Sequence, residues 1–276
     1  MVERIKFGIQ DTAQAVAQSE QVLAPIRQAF PSASVELVTM DAAGHHLYQT
    51  EDLEQALLAG RVDFVIHPLE LLSPALPDDL PLVAFTRRST SKYALVLAEH
   101  TKKLPKVKPI GCFTPLQAVQ LRDQYPKHEI KLLTEQPPAC LRLFHTGVIG
   151  GLILDSTQVA ALDLADRVYH WFTAQELVPT AGTGILAVQT RRGTDCGCLK
   201  AVNDLDTAYC ALAERAFLRN AQGDPRLTGA YARMDGSQIV LTGVTAADGQ
   251  PLKEGDIFGN PQQAAVLGEM LAKHLA

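Results

Sequence analysis

Twice along this chain the same alternation recurs. A short apolar run leads into an amphipathic stretch, then a second run, a second stretch and a third run. In the first unit Ile5–Ile9 reads as a strand. Thr12 stands where a helix N-cap belongs, before a helical stretch from about Ala13 to Phe30 that Pro31 ends. Val35–Met40 is a second strand, Leu53–Leu58 is helical with Gly60 as its C-cap, and Asp63–His67 is a third strand. The second unit has Pro109–Phe113 as strand, a helix over Pro115–Gln124, Glu129–Leu133 as strand, a helix over Ala139–Phe144 and Gly150–Asp155 as strand. A β-α-β-α-β order needs crossover helices and therefore a parallel sheet. Ligands on such sheets sit at the carboxyl ends of the strands, beside helix N-termini. In the first unit those ends are Gln10–Thr12, Met40–Gly44 and His67–Leu71.

Between the units Pro74, Pro77 and Pro81 break the pattern. Strand-like Leu82–Phe85 and Tyr93–Leu97 flank Arg87-Arg88-Ser89-Thr90-Ser91, which reads as a polar hinge. Ile185–Gln189 is a further strand, after the loop Pro179-Thr180-Ala181-Gly182-Thr183-Gly184. From about 199 the texture changes. Leu199–Leu218 reads as one amphipathic helix. Strands at Tyr231–Met234 and Gln238–Thr245 follow, with turns at Asp235-Gly236 and Asp248-Gly249 and a final helix over Pro261–Leu275. The expected domains are 1–86 with about 185–198, then 87–184, then 199–276.

Composition narrows the function classes. The 276 residues suffice for two or three small domains. No run approaches the roughly 18 apolar residues of a membrane-spanning helix. A net charge of −5 argues against a nucleic-acid binder, whose affinity would come from a basic face. The charged opening Met1-Val2-Glu3-Arg4-Ile5-Lys6 runs straight into a strand, so the expectation is a cytoplasmic protein without an export signal. Five cysteines, at 112, 140, 196, 198 and 210, are then expected as reduced thiols. Cys196-Gly-Cys198 lacks zinc-knuckle spacing and a second pair, and His45-His46 reads as a solvated turn, so no metal site is expected.

Several segments carry a resemblance. They are Val35-Glu36-Leu37-Val38; Leu53-Glu54-Gln55-Ala56-Leu57-Leu58 with Arg61, Asp63 and His67; Pro179 with Gly182-Thr183-Gly184; and Ala213-Glu214-Arg215-Ala216-Phe217-Leu218 with Gly229-Ala230-Tyr231-Ala232. In their order and spacing they resemble hydroxymethylbilane synthase, or porphobilinogen deaminase, over nearly the whole chain. The resemblance implies two periplasmic-binding-protein-like α/β domains flanking a cleft, plus a small C-terminal α+β domain. It also implies a transferase that builds a linear tetrapyrrole from porphobilinogen and releases ammonia. Such an enzyme uses a dipyrromethane cofactor linked to a cysteine, an aspartate at the reacting pyrroles, and arginines for the substrate carboxylates.

At those chemical positions this sequence departs from the family. Asp224 stands at the cofactor cysteine, so no dipyrromethane cofactor is expected. Leu71 stands at the catalytic aspartate and Glu70 at the lysine before it. Adjacent residues face apart, so Glu70 reaches the cleft only through a local change of backbone. Gln10, Leu116, Gln117, Thr134 and Cys140 stand at family arginines, with Arg142 nearby. The loop between Gly44 and Leu53 is shorter than the family's, and Gln49 replaces its phenylalanine.

Two functions are therefore in view. One is a small-molecule-binding or regulatory homologue, a monomer without nucleic-acid or membrane partners. It would hold its ligand in the cleft through Gln10, Thr12, Thr114, Gln117, Gly182, Thr183 and Gly184. Thr12 and Thr114 each precede a helix and can cap it or, with its free N–H groups, hold an anion. The other is a transferase acting on porphobilinogen or a related pyrrole by altered chemistry, with Glu70, His67 and Asp224 as candidate acid–base groups. A conventional deaminase would need an unanchored cofactor.

Overall fold

The computed structural model describes residues 4–40, 51–89, 92–135 and 137–276. Gly44, His45, His46, Gln49, Thr90 and Ser91 lie outside the described residues.

The first domain follows the alternating pattern. Strand β1 (Arg4–Gln10) leads to helix α1 (Ala13–Ala29), whose first turn is capped by Thr12, its Oγ1 accepting from the Ala15 N–H at 3.0 Å. Val22, Leu23 and Ile26 of α1 are fully buried against the sheet, beside Phe7 and Phe64. Next come β2 (Ser34–Met40), α2 (Glu51–Leu58), β3 (Phe64–Pro68) and β4 (Leu82–Phe85). The chain then crosses to the second domain. There it forms β5 (Tyr93–Leu97), β6 (Ile110–Cys112), α3 (Pro115–Gln124), β7 (Ile130–Leu132), α4 (Pro137–Cys140), α5 (Arg142–His145), β8 (Gly151–Asp155), α6 (Ser156–Ala161) and β9 (Val168–Trp171). It crosses back to add β10 (Leu186–Thr190) to the first sheet.

The sheet orders are β2-β1-β3-β10-β4 and β7-β6-β8-β5-β9. The expected parallel pairing is found within β2-β1-β3 and within β7-β6-β8. The full sheets are mixed, because β10 runs antiparallel to β3 and β4, and β5 antiparallel to β8 and β9. Each reversed strand directly follows a crossing from the other domain, and so enters its sheet against the local direction. The result is two α/β lobes joined by two adjacent crossing segments.

The third unit holds α7 (Leu205–Asn220), β11 (Gly229–Asp235), β12 (Gln238–Thr245), β13 (Lys253–Gly259) and α8 (Ala264–His274). The three strands form an antiparallel meander covered by α7 and α8. One sequence expectation is corrected here. The helix does not begin at Leu199. Residues Gly197–Ala201 form a separate short 3-10 turn, and α7 starts after Asp204. The break has a tertiary cause. The Asn203 side chain accepts from the Phe85 N–H at 3.0 Å, and the Asp204 N–H donates to the Phe85 carbonyl at 2.9 Å. Asp204 then caps α7 through the Thr207 N–H at 2.8 Å. Similarly, Ala139–Phe144 is not one helix but parts of α4 and α5. Among the described residues no helix is long and apolar enough to cross a membrane.

Candidate functional site

The two crossing segments lie side by side at the base of the interlobe cleft. Thr86 N–H donates to the Leu186 carbonyl and Ser89 N–H to the Gly184 carbonyl, both at 2.9 Å. Gly182 and Gly184 have φ of +87° and +79°, in the left-handed region. A Cβ on Gly182 would lie 2.7 Å from Leu69 Cγ, and one on Gly184 would lie 2.9 Å from the Ser89 carbonyl oxygen. Glycine at both positions lets one crossing segment press against the other and against the turn that follows β3.

That turn decides which side chain after β3 meets the cleft. Leu69–Leu71 form a single 3-10 turn. Leu69 is buried in the core, Leu71 is 42% exposed, and Glu70 lines the cleft. The local backbone change that Glu70 requires is therefore present. The cavity it faces has a volume of about 470 Å³. The second lobe contributes Tyr93, at the start of β5, and Asp155, at the end of β8. Asp155 also caps α6, accepting from the Gln158 N–H at 2.8 Å, while Gln158 Oε1 accepts from the Asp155 N–H at 3.0 Å. Burial raises the Glu70 carboxyl above the usual carboxylate range. Asp155 adds to that rise, while the Thr183 side chain and Arg88 oppose it. Burial likewise raises the Tyr93 phenol, and Glu70 and Asp155 push it the same way.

Behind this wall sits a junction of all three units. Arg88 Nη2 donates to Glu214 Oε1 in a salt bridge whose side chains are 13% and 0% exposed. Arg88 Nη1 donates to the Thr183 carbonyl at 3.0 Å, and the guanidinium lies 4.7 Å over the Tyr231 ring. Glu214 also accepts the Gly182 N–H at 2.7 Å and the Ala232 N–H at 2.6 Å. Burial pushes the Glu214 carboxyl up, while Arg88 and the two amides pull it down. The guanidinium is thus committed to holding the units together.

The other sequence candidates are placed as follows. Thr183 and Gly184 line the cavity. Gly182, by contrast, gives its N–H to Glu214. Thr12 caps α1 and Thr114 caps α3, where its Oγ1 accepts from the Gln117 N–H at 3.1 Å. Gln117 completes that capping box, accepts from the Phe113 N–H at 3.0 Å and hydrogen-bonds Tyr93 from behind. Gln10, Thr12, Thr114 and Gln117 are not part of the cavity lining. Replacing Thr114 by alanine is expected to destabilise the protein by about 1 kcal/mol, as loss of an N-cap does. A urea unfolding curve unchanged from wild type would refute that role.

His67 is buried at 2% exposure, with Nε2 3.1 Å from Gln189 Oε1. Burial lowers its pKa to about 4, so it is neutral and faces Gln189, away from the cavity lining. Asp224 opens the 3-10 turn Pro225–Leu227. Its carboxylate accepts the Arg226 backbone N–H at 2.8 Å and Nη2 at 2.6 Å, and this binding holds it below the usual carboxylate range. It faces a different depression, which runs along α3 from Pro115 to Arg122. Of the three acid–base candidates, only Glu70 stands in the interlobe cavity.

Leu116 and Cys140 are core residues, at 3% and 0% exposure. Thr134 borders a shallow pocket beside α4. Arg142 directs Nε to the Ala139 carbonyl of the preceding segment, α4. No disulfide joins Cys112, Cys140, Cys196, Cys198 and Cys210. Burial raises the Cys210 thiol to about 12, within the core beneath α7. Sequence reasoning missed Tyr93 and Asp155 as cleft residues, and Arg88 and Glu214 as a pair. Only the unusual Glu in the middle of an otherwise packed helix hinted at the latter.

The family model described as "Porphobilinogen deaminase, dipyromethane cofactor binding domain" matches residues 5–196. The porphobilinogen deaminase of Alkaliphilus oremlandii is 29% identical over 282 residues, covering 98% of this chain and 95% of its own. That of Acetivibrio thermocellus is 27% identical over 285 residues, covering 99% and 98%. Among solved structures, the periplasmic aliphatic sulphonate binding protein SsuA from Escherichia coli is 16% identical. It aligns over 79% of this chain and 70% of its own, with a TM-score of 0.46.

Proposed function

This chain belongs to the porphobilinogen deaminase family, and from that premise we propose that it keeps the scaffold of this tetrapyrrole-biosynthesis family without its polymerising chemistry. In this reading it is a small-molecule-binding homologue that holds its ligand in the interlobe cleft. The observation that carries the reading is Asp224. It stands where the family's cofactor thiol stands, and its carboxylate is bound by Arg226. A thioether anchor needs a thiolate there. Cys210 is no substitute, because burial holds it protonated within the core. The side chains present do not fit a covalently held dipyrromethane. Further support comes from the positions of the family's arginines, where Leu116 and Cys140 pack in the core and Gln117 caps a helix. Each desolvated charge contact that is missing costs about 2–5 kcal/mol of affinity. Their joint loss removes the hold on a polycarboxylate chain.

One observation favours a second reading, a transferase working by altered chemistry. Glu70 does face the cavity, and its raised pKa suits a general acid. One experiment separates the two. Purified protein is incubated with porphobilinogen, and both substrate consumption and intact mass are followed. The expected result is no consumption and an unchanged mass. Consumption with a covalent pyrrole adduct overturns the proposal. Consumption without an adduct, abolished in Glu70→Gln, selects the second reading.

A further inference from the structure

Among the described residues, the interlobe cavity is lined by two carboxylates, Glu70 from the first lobe and Asp155 from the second, and by no lysine, arginine or histidine. Among the described residues the guanidinium within Coulombic reach of Glu70 is that of Arg88, and its Nη atoms are taken by Glu214 and the Thr183 carbonyl. Counting these four groups, three carboxylates face one cation, so the cavity has an excess of negative charge. The remaining polar lining is neutral, made of amides such as Gln14 and Gln158 and hydroxyls such as Ser89, Thr183 and Tyr93. Ala17, Ala161 and Leu186 supply short apolar strips. The volume of about 470 Å³ is that of a small-molecule site.

We propose that this cleft selects a small ligand through an aliphatic amine, whose ammonium group is received between Glu70 and Asp155. The proposal rests on the reading that the cleft is a ligand site, and it names the chemistry of that ligand. A cation between two carboxylates relieves their mutual repulsion and gives each a charge-assisted hydrogen bond. A dicarboxylate would instead be buried beside like charges without a partner. Because the carboxylates come from different lobes, an ammonium bridging them also draws the lobes together.

The test uses the full chain and a matched pair of probes, 1,4-diaminobutane and succinate, with porphobilinogen as a third. Binding is read by calorimetry and by the shift of the thermal midpoint, since a ligand of the native state raises it by mass action. The diamine is expected to bind and to weaken as salt is added, with no shift from succinate or porphobilinogen. Glu70→Gln should weaken diamine binding at least about tenfold, as loss of a desolvated charge partner does. Gln14→Lys is a second variant, at an exposed position of α1 that borders the cavity. It should weaken binding by repulsion while the circular dichroism and melting curve stay those of wild type. The proposal is overturned if the diamine fails to bind, if succinate or porphobilinogen binds in preference, or if both variants bind the diamine as wild type does. Failure of the diamine with porphobilinogen left unconsumed removes this inference alone. Consumption of porphobilinogen with an adduct removes the non-polymerising reading, whatever the amines do.

Discussion

Replacing Arg88 by methionine is expected to cost about 3–5 kcal/mol of folding stability, the cost of leaving a buried charge without its partner. Glu214 is completely buried, and its two oxygens are divided among Arg88 and the Gly182 and Ala232 amides. Removal of the guanidinium leaves a carboxylate that no water can reach. The loss is also a loss of architecture. Arg88 lies on the outgoing crossing segment, Gly182 and Thr183 lie on the returning one, and Glu214 and Tyr231 belong to the third unit. The double variant Arg88→Met, Glu214→Gln should recover part of the loss, because glutamine is neutral and still offers an acceptor to one amide. Arg88→Lys should not restore it fully, since an ammonium lacks the planar fork that serves Glu214 and Thr183 together. Urea unfolding measures all three. A change below about 1 kcal/mol in Arg88→Met would show that the pair contributes little.

Acid should act mainly through His67. Its folded pKa of about 4 lies below the 6.5 of an unperturbed histidine, so between those values the unfolded chain binds the extra proton. The stability it contributes is complete above about pH 6.5 and is lost as pH falls toward 4, by roughly 3 kcal/mol in all. The hydrogen bonds around it fix the tautomer. Gln189 Nε2 donates to the Leu80 carbonyl at 3.0 Å and to Glu54 at 3.3 Å, so its Oε1 faces His67 and accepts from an Nε2–H. Protonation would place a charge on a ring at 2% exposure with no carboxylate bonded to it. His67→Gln should flatten the fall in unfolding free energy between pH 6.5 and 4. An unchanged slope would place the acid sensitivity elsewhere. Glu70 and Glu54, whose carboxyl groups are raised by burial, act in the opposite sense. Their contribution is present at low pH and lost as pH rises through their folded values.

The sequence by itself determined a good deal. The order of strands and helices in both lobes follows from apolar periodicity and from local stop and start signals. Thr12, Thr114, Gly60 and the turns at Asp235-Gly236 and Asp248-Gly249 mark their positions through contacts a few residues away. The family was also written in short local segments. Tertiary structure decided whatever depends on residues distant in the chain. The reversed directions of β5 and β10 follow from the crossings between lobes. The start of α7 was set by Asn203 and Asp204 binding Phe85, which helical periodicity does not register. Gln117, read as a ligand residue, turned inward as a cap because the α3 N-terminus has donors to satisfy. Glu70 was turned into the cleft by one 3-10 turn, and only there does it meet Asp155. A carboxylate in a sequence carries a charge of known sign. Its meaning depends on which charges folding places beside it and how much water it removes, and neither is a local property of the chain.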